Sequence, residues 1–108
     1  MKIHVHREAC CSQDDQLGPL AQAYELREDC SLGDFVTAVM GSRFLQYSST
    51  HTTLRCLVGP RQVATVFSPY LEPARETVYA VPLQTLMRDL ARDGVVEFEF
   101  ERPAQAGT

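Results

Sequence analysis

The chain predicts an α+β fold: a mixed sheet of about five strands with two helices, in the order β-β-α-β-β-α-β. Three observations lead there. Apolar residues alternate at period two at both ends, as Ile3 and Val5 and again as Val96, Phe98 and Phe100. Between them Leu32, Phe35, Val36, Val39 and Met40 recur at helical spacing behind a capping sequence. Residues 53–68 form two apolar stretches broken by Gly59 and Pro60, the pattern of a hairpin.

Taken in order, residues 1–7 read as a strand with Met1, Ile3 and Val5 on one face and Lys2, His4 and His6 on the other. A polar stretch follows, with Gly18-Pro19 as a turn signal. Residues 21–29 read as a weaker strand carrying Tyr24 and Leu26. Ser31 with Asp34 three residues on is a capping box, so the first helix starts there, and Gly41 can end it. Residues 46–52 are a polar loop and the hairpin follows. Two prolines make residues 69–76 irregular, and 77–81 form a short extended piece. Pro82 suits the start of a second helix, whose stripe is Leu83, Leu86, Met87 and Leu90 and whose C′ residue is Gly94. The last strand sets Val96, Phe98 and Phe100 against Glu97, Glu99 and Glu101.

Two arrangements suit this order. One is a β-grasp sheet, with the first and last strands parallel at its centre and the first helix across one face. The other is a split arrangement of ferredoxin type. The opening pair of strands ahead of the capped helix and the strongly patterned last strand favour the β-grasp. Length suits a single domain over residues 1–102, with residues 103–108 as a frayed tail.

Composition removes several function classes. A net charge of −4, with Lys and Arg scattered, disfavours nucleic acid, whose binders carry a basic stripe. No apolar run approaches the roughly 18 residues of a membrane span, and residues 1–7 carry no signal-type apolar core, so a cytoplasmic protein without a membrane partner is expected. Cys10, Cys11, Cys30 and Cys56 match neither a zinc spacing nor a redox CxxC, and should be free thiols in a reducing compartment. No motif identifies a reaction. The reading is non-enzymatic, with no catalytic residue and no cofactor.

The candidate sites follow from the residue types. His4 and His6 share one strand face about 7 Å apart, a spacing that suits two imidazoles on one metal if Cys10, Cys11 or a carboxylate joined them. The plainer reading is a cross-strand charge ladder with Glu97, Glu99 and Glu101. Glu8, Asp14 and Asp15 surround Cys10 and Cys11 in sequence and oppose thiolate formation. Asp14 and Asp15 fit a solvated loop, or an acidic loop that docks a basic partner. Phe67, Tyr70 and Leu71, near prolines, have the character of exposed interface anchors, or equally of side chains that cover the open edge of the sheet.

The strand ending in Arg7-Glu8, the loop Cys11-Ser12-Gln13-Asp14-Asp15, the capped helix from Ser31 and the hairpin run from Gly59 to Val66 together resemble small single-domain bacterial immunity-type proteins found beside polymorphic toxins. The opening strand and capped helix also look ubiquitin-like. The resemblance implies a cytoplasmic antitoxin that occludes the active surface of a cognate toxin or effector. Asp14, Asp15, Tyr70, Glu97 and Glu99 would be its partner-binding residues. Three alternatives stand beside it: a ubiquitin-like adaptor of a secretion system, a small metal- or thiol-binding protein, and a homodimer paired through a sheet edge.

Overall fold

The computed structural model describes residues 1–10 and 19–101. They build one six-stranded mixed sheet with two helices. The strands are β1 (Lys2–Arg7), β2 (Ala21–Glu25), β3 (Thr53–Val58), β4 (Arg61–Phe67), β5 (Val78–Tyr79) and β6 (Val95–Phe100). The helices are α1 (Leu32–Gly41) and α2 (Met87–Leu90). Across the sheet the order is β2-β1-β6-β3-β4-β5. β1 and β6 run parallel and every other pair is antiparallel.

Period-two patterning produces the two-faced sheet. On β1 the residues Ile3, Val5 and Arg7 are buried while Lys2, His4 and His6 are exposed. On β6 Val96, Phe98 and Phe100 are buried and Glu97 is exposed. α1 lays Leu32, Phe35, Val36 and Val39 against the buried face, and these join Ile3, Val5, Leu54, Val66, Val96 and Phe98 in a single core. Each such side chain contributes roughly 1.5–3 kcal/mol by leaving water. Cys56, fully enclosed, behaves as one of these apolar groups.

The parallel β1–β6 pairing brings the chain's two ends together and depends on Gly94. That residue has φ +72°, and a Cβ there would stand 3.1 Å from the Lys2 carbonyl. Its own carbonyl accepts the His4 N–H at 2.7 Å, which sets the register His4↔Val95, His6↔Glu97.

The structure corrects the sequence reading in three places. There are six strands rather than about five, because Tyr79 and Val78 pair with Ala64 and Thr65. The second helix is confined to Met87–Leu90 and does not start at Pro82. Pro82 and Thr85 close a turn, and the carbonyls of Leu83 and Thr85 are taken by Gly33 and Leu32 across the fold. Those carbonyls therefore cannot serve a helix of their own. Gly94 accordingly closes a turn on Ala91 rather than capping a helix. As the sequence suggests, α1 ends at Gly41; the left-handed residue beyond it is Arg43, at φ +60°.

The N–H groups of the first three residues of α1 all find acceptors. A helix leaves its first N–H groups without internal partners. Here Leu32 donates to Thr85 O at 2.8 Å, Gly33 to Leu83 O at 2.9 Å and Asp34 to Ser31 Oγ at 3.1 Å.

Candidate protein-docking surface

The structure separates the residues that the sequence nominates. His4 and His6 both stand exposed on the helix-free face of the sheet, beside Val95 and Glu97 respectively. Lys2 pairs with Glu25 across the β1–β2 ladder at 3.8 Å. Glu99 is held by Arg55 on β3, at 3.1 Å, and not by a histidine. Of the expected ladder, His6 stands beside Glu97 in register, while Lys2 and Glu99 take Glu25 and Arg55 as partners. Among the described residues no three His, Cys, Asp or Glu side chains converge on a point that would hold a metal ion. Asp14, Asp15 and Cys11 lie outside the described residues.

The two buried thiols, Cys30 and Cys56, are held protonated. Burial pushes the Cys56 thiol up to about 12. Burial first, then Asp34 and Asp29, raises the Cys30 thiol as well. A thiol held protonated is a weak nucleophile. In the loop before β3, Ser48 Oγ and Thr50 Oγ1 both lie 3.1 Å from His51 Nδ1. The His51 backbone N–H also donates to Ser48 Oγ at 3.1 Å. A catalytic Ser–His pair needs a third group to orient the imidazole. Here two hydroxyls share one ring nitrogen, no carboxylate among the described residues bonds the ring, and the ring stacks edge-on against Phe100 at 4.9 Å. The arrangement locks a turn.

Tyr70 fulfils its expectation of exposure. It is 85% accessible, the most exposed of the large apolar side chains among the described residues. It sits just beyond β4, anchored by its backbone N–H, which donates to the buried Ser68 hydroxyl at 3.2 Å. A groove lies on each side of it. The larger, about 680 Å³, runs towards the end of α1 and is lined by Met40, Arg43, Leu45, Tyr47 and Pro69 along with Tyr70. The smaller, about 380 Å³, is walled by Tyr47, Thr52, Ser68, Leu71 and Glu72. Tyr47 forms part of both. Burial pushes its phenol up to about 12, so it is neutral, and it donates to Met40 Sδ at 3.5 Å. Arg43 brings a positive charge to one groove and Glu72 a negative charge to the other. Neither groove includes Glu97 or Glu99.

Sequence reading finds Tyr70 and misses Met40, Arg43 and Tyr47 as its neighbours. Met40 reads as core from its helical spacing, and Tyr47 as part of a polar loop. Their seven-residue separation gives no hint that the chain turns back through a left-handed Arg43 and sets the two side chains together. A third depression, of about 520 Å³, is lined by Glu25, Arg27, Asp29, Cys30 and Asp34 and lies apart from this surface. Its Asp29 is neutralised by Arg27 at 3.1 Å.

No family model matches the chain, and neither the curated proteins nor the solved structures compared with it offer a match.

Proposed function

We propose that this protein is a non-enzymatic protein-binding module of β-grasp type that acts as an immunity protein. It neutralises a cognate bacterial toxin in the cytoplasm by covering the toxin's active surface. The observation that carries this reading is Tyr70, an aromatic side chain raised on an anchored loop between two grooves. Aromatic anchors beside concave, partly apolar walls are where binding energy concentrates in protein interfaces. Occlusion needs no catalytic group, only a rigid scaffold and a complementary surface. A net charge of −4, to which Asp14, Asp15, Glu97 and Glu99 contribute, suits a basic toxin surface and would steer association. The β-grasp part of the reading rests on the parallel first and last strands and on α1 packed across one face.

That same strand arrangement supports one other reading, a ubiquitin-like adaptor of a secretion system. The two differ in partner. Returning the tagged protein to a lysate that expresses its genomic neighbours, with metal content measured on the same sample, tests both. The immunity reading expects a stoichiometric toxin partner, loss of toxin activity on mixing, and an association rate that falls as salt rises. Capture of secretion-machinery components instead would favour the adaptor. Stoichiometric zinc or copper that disappears in His4→Ala, with no protein partner, would overturn both.

A further inference from the structure

We infer that the free edge of β2 is a self-pairing surface: two copies of the chain join antiparallel β2 strands about a two-fold axis at Ala23, making one continuous sheet. This surface is separate from the one around Tyr70 and does not depend on the reading given to it.

The hydrogen-bond register decides which backbone groups face outward. Met1 and Leu26 exchange both backbone bonds, at 2.7 Å each, and Arg7 N–H donates to Leu20 O at 2.9 Å. With the pairing Ile3↔Tyr24 and Val5↔Gln22 between them, the bonded positions of β2 are Leu20, Gln22, Tyr24 and Leu26. The N–H and C=O groups of Ala21, Ala23 and Glu25 therefore point away from β1. Among the described residues none of the six has a partner.

The two edges of the sheet are built differently. β5, at one edge, is only two residues long. A very short strand is a usual protection against edge pairing. β2 is five residues, Ala21–Glu25, almost wholly exposed, with no proline, no lysine and no bulge.

The occupant that fits is a second copy. The middle residue of β2, Ala23, is one whose groups face out. A two-fold axis there sets Ala23 against its own counterpart and Ala21 against Glu25 of the other copy. All three outward residues are then in register, each copy supplies three donors, and six backbone bonds form with no overhang. Side chains agree with this register. Alanine meets alanine at the axis, Glu25 meets an alanine rather than another carboxylate, and Lys2 lies 3.8 Å from Glu25 to offset its charge. On the other face Gln22 would lie opposite Tyr24 of the second copy. A foreign strand would have to bring small residues at matching positions, whereas a second copy supplies them by symmetry.

Sedimentation equilibrium across a wide range of concentrations, combined with amide hydrogen exchange, tests the proposal. The expected mass rises with concentration to twice 12.1 kDa, with protection appearing at the Ala21, Ala23 and Glu25 amides. Ala23→Pro removes only an outward N–H and leaves the β1–β2 ladder intact. Ala23→Lys places two like charges at the axis. Both variants are expected to stay at 12.1 kDa with an unchanged far-ultraviolet spectrum, while Tyr70→Ala still dimerises. A wild-type mass of 12.1 kDa at every concentration would overturn the inference, as would a dimer that survives Ala23→Lys.

Discussion

The backbone N–H of Gly33 donates to the carbonyl of Leu83 at 2.9 Å, and that bond ties the start of the long helix to the segment leading into the short one. The approach is close because Gly33 has no side chain. A Cβ there would stand 3.3 Å from Leu83 Cδ1 and 3.4 Å from the Leu83 carbonyl oxygen. Gly33→Val should therefore push the two segments apart and destabilise the fold by about 1–3 kcal/mol. Urea unfolding checks this, with a shifted midpoint and an unchanged slope as the expected result.

Arg43 occupies the left-handed region at φ +60°, where a residue with a Cβ costs roughly 1–2 kcal/mol. Its side chain also lines the larger groove beside Tyr70. Arg43→Gly should relieve the strain and raise stability by about 1 kcal/mol, a gain in melting temperature of roughly 4–8 °C. If the Tyr70 surface is an interface, the same variant should also bind the partner less tightly. A scanning calorimetry trace and a binding isotherm on one preparation separate the two effects.

Tyr70 makes little contribution to folding, being 85% exposed. Tyr70→Ala should leave the unfolding free energy within about 0.5 kcal/mol of wild type. If the side chain is the anchor of the interface, its loss costs the complex about 2 kcal/mol or more, on the order of thirtyfold in Kd. Glu99→Gln should change affinity far less, since Glu99 is already engaged by Arg55. Titration calorimetry of both variants against the captured partner provides the comparison.

The buried Cys56 thiol and the Tyr47 phenol predict how stability depends on alkaline pH. Both are pushed to about 12, from ordinary values of 9.0 and 10.0. In the unfolded chain these groups lose their protons first, so the unfolded state is favoured as pH rises. Their contribution is intact below pH 9 and is lost between pH 9 and 12, first through Cys56 and then through Tyr47. Unfolding midpoints measured from pH 8 upward should fall steadily. Cys56→Ser should remove the earlier part of that fall, at the cost of burying a hydroxyl. A midpoint that stays flat to pH 11 would contradict this account.

Much of the architecture is legible along the chain because its signals are local. Alternation in β1 and β6, the apolar stripe of α1 and its Ser31 cap each describe one element and need no distant partner. The failures share a different character. Leu83, Leu86, Met87 and Leu90 have helical spacing, yet the carbonyls of Leu83 and Thr85 are claimed by the N-terminus of α1, fifty residues away in the chain. The short extended piece over 77–81 is legible, but that Val78 and Tyr79 join the sheet as a sixth strand depends on the ladder that β4 offers. Of the residues nominated for a site, Tyr70 could be read from its loop and its aromatic ring. The grooves on either side of it could not.

Which residues alternate, where α1 begins, where the hairpin turns and how much charge the chain carries can all be read from neighbours a few positions apart. The parallel pairing of β1 and β6, favoured by the patterned ends of the chain, is what the fold adopts, but that Arg55 takes Glu99 emerges only from the packed sheet. Only the tertiary structure decided that Met40, Arg43, Tyr47 and Tyr70 share one surface. It left the Ala21, Ala23 and Glu25 groups of β2 facing out. These are long-range choices, settled by which arrangement buries the apolar faces and satisfies the most backbone groups at once, and no local pattern encodes them.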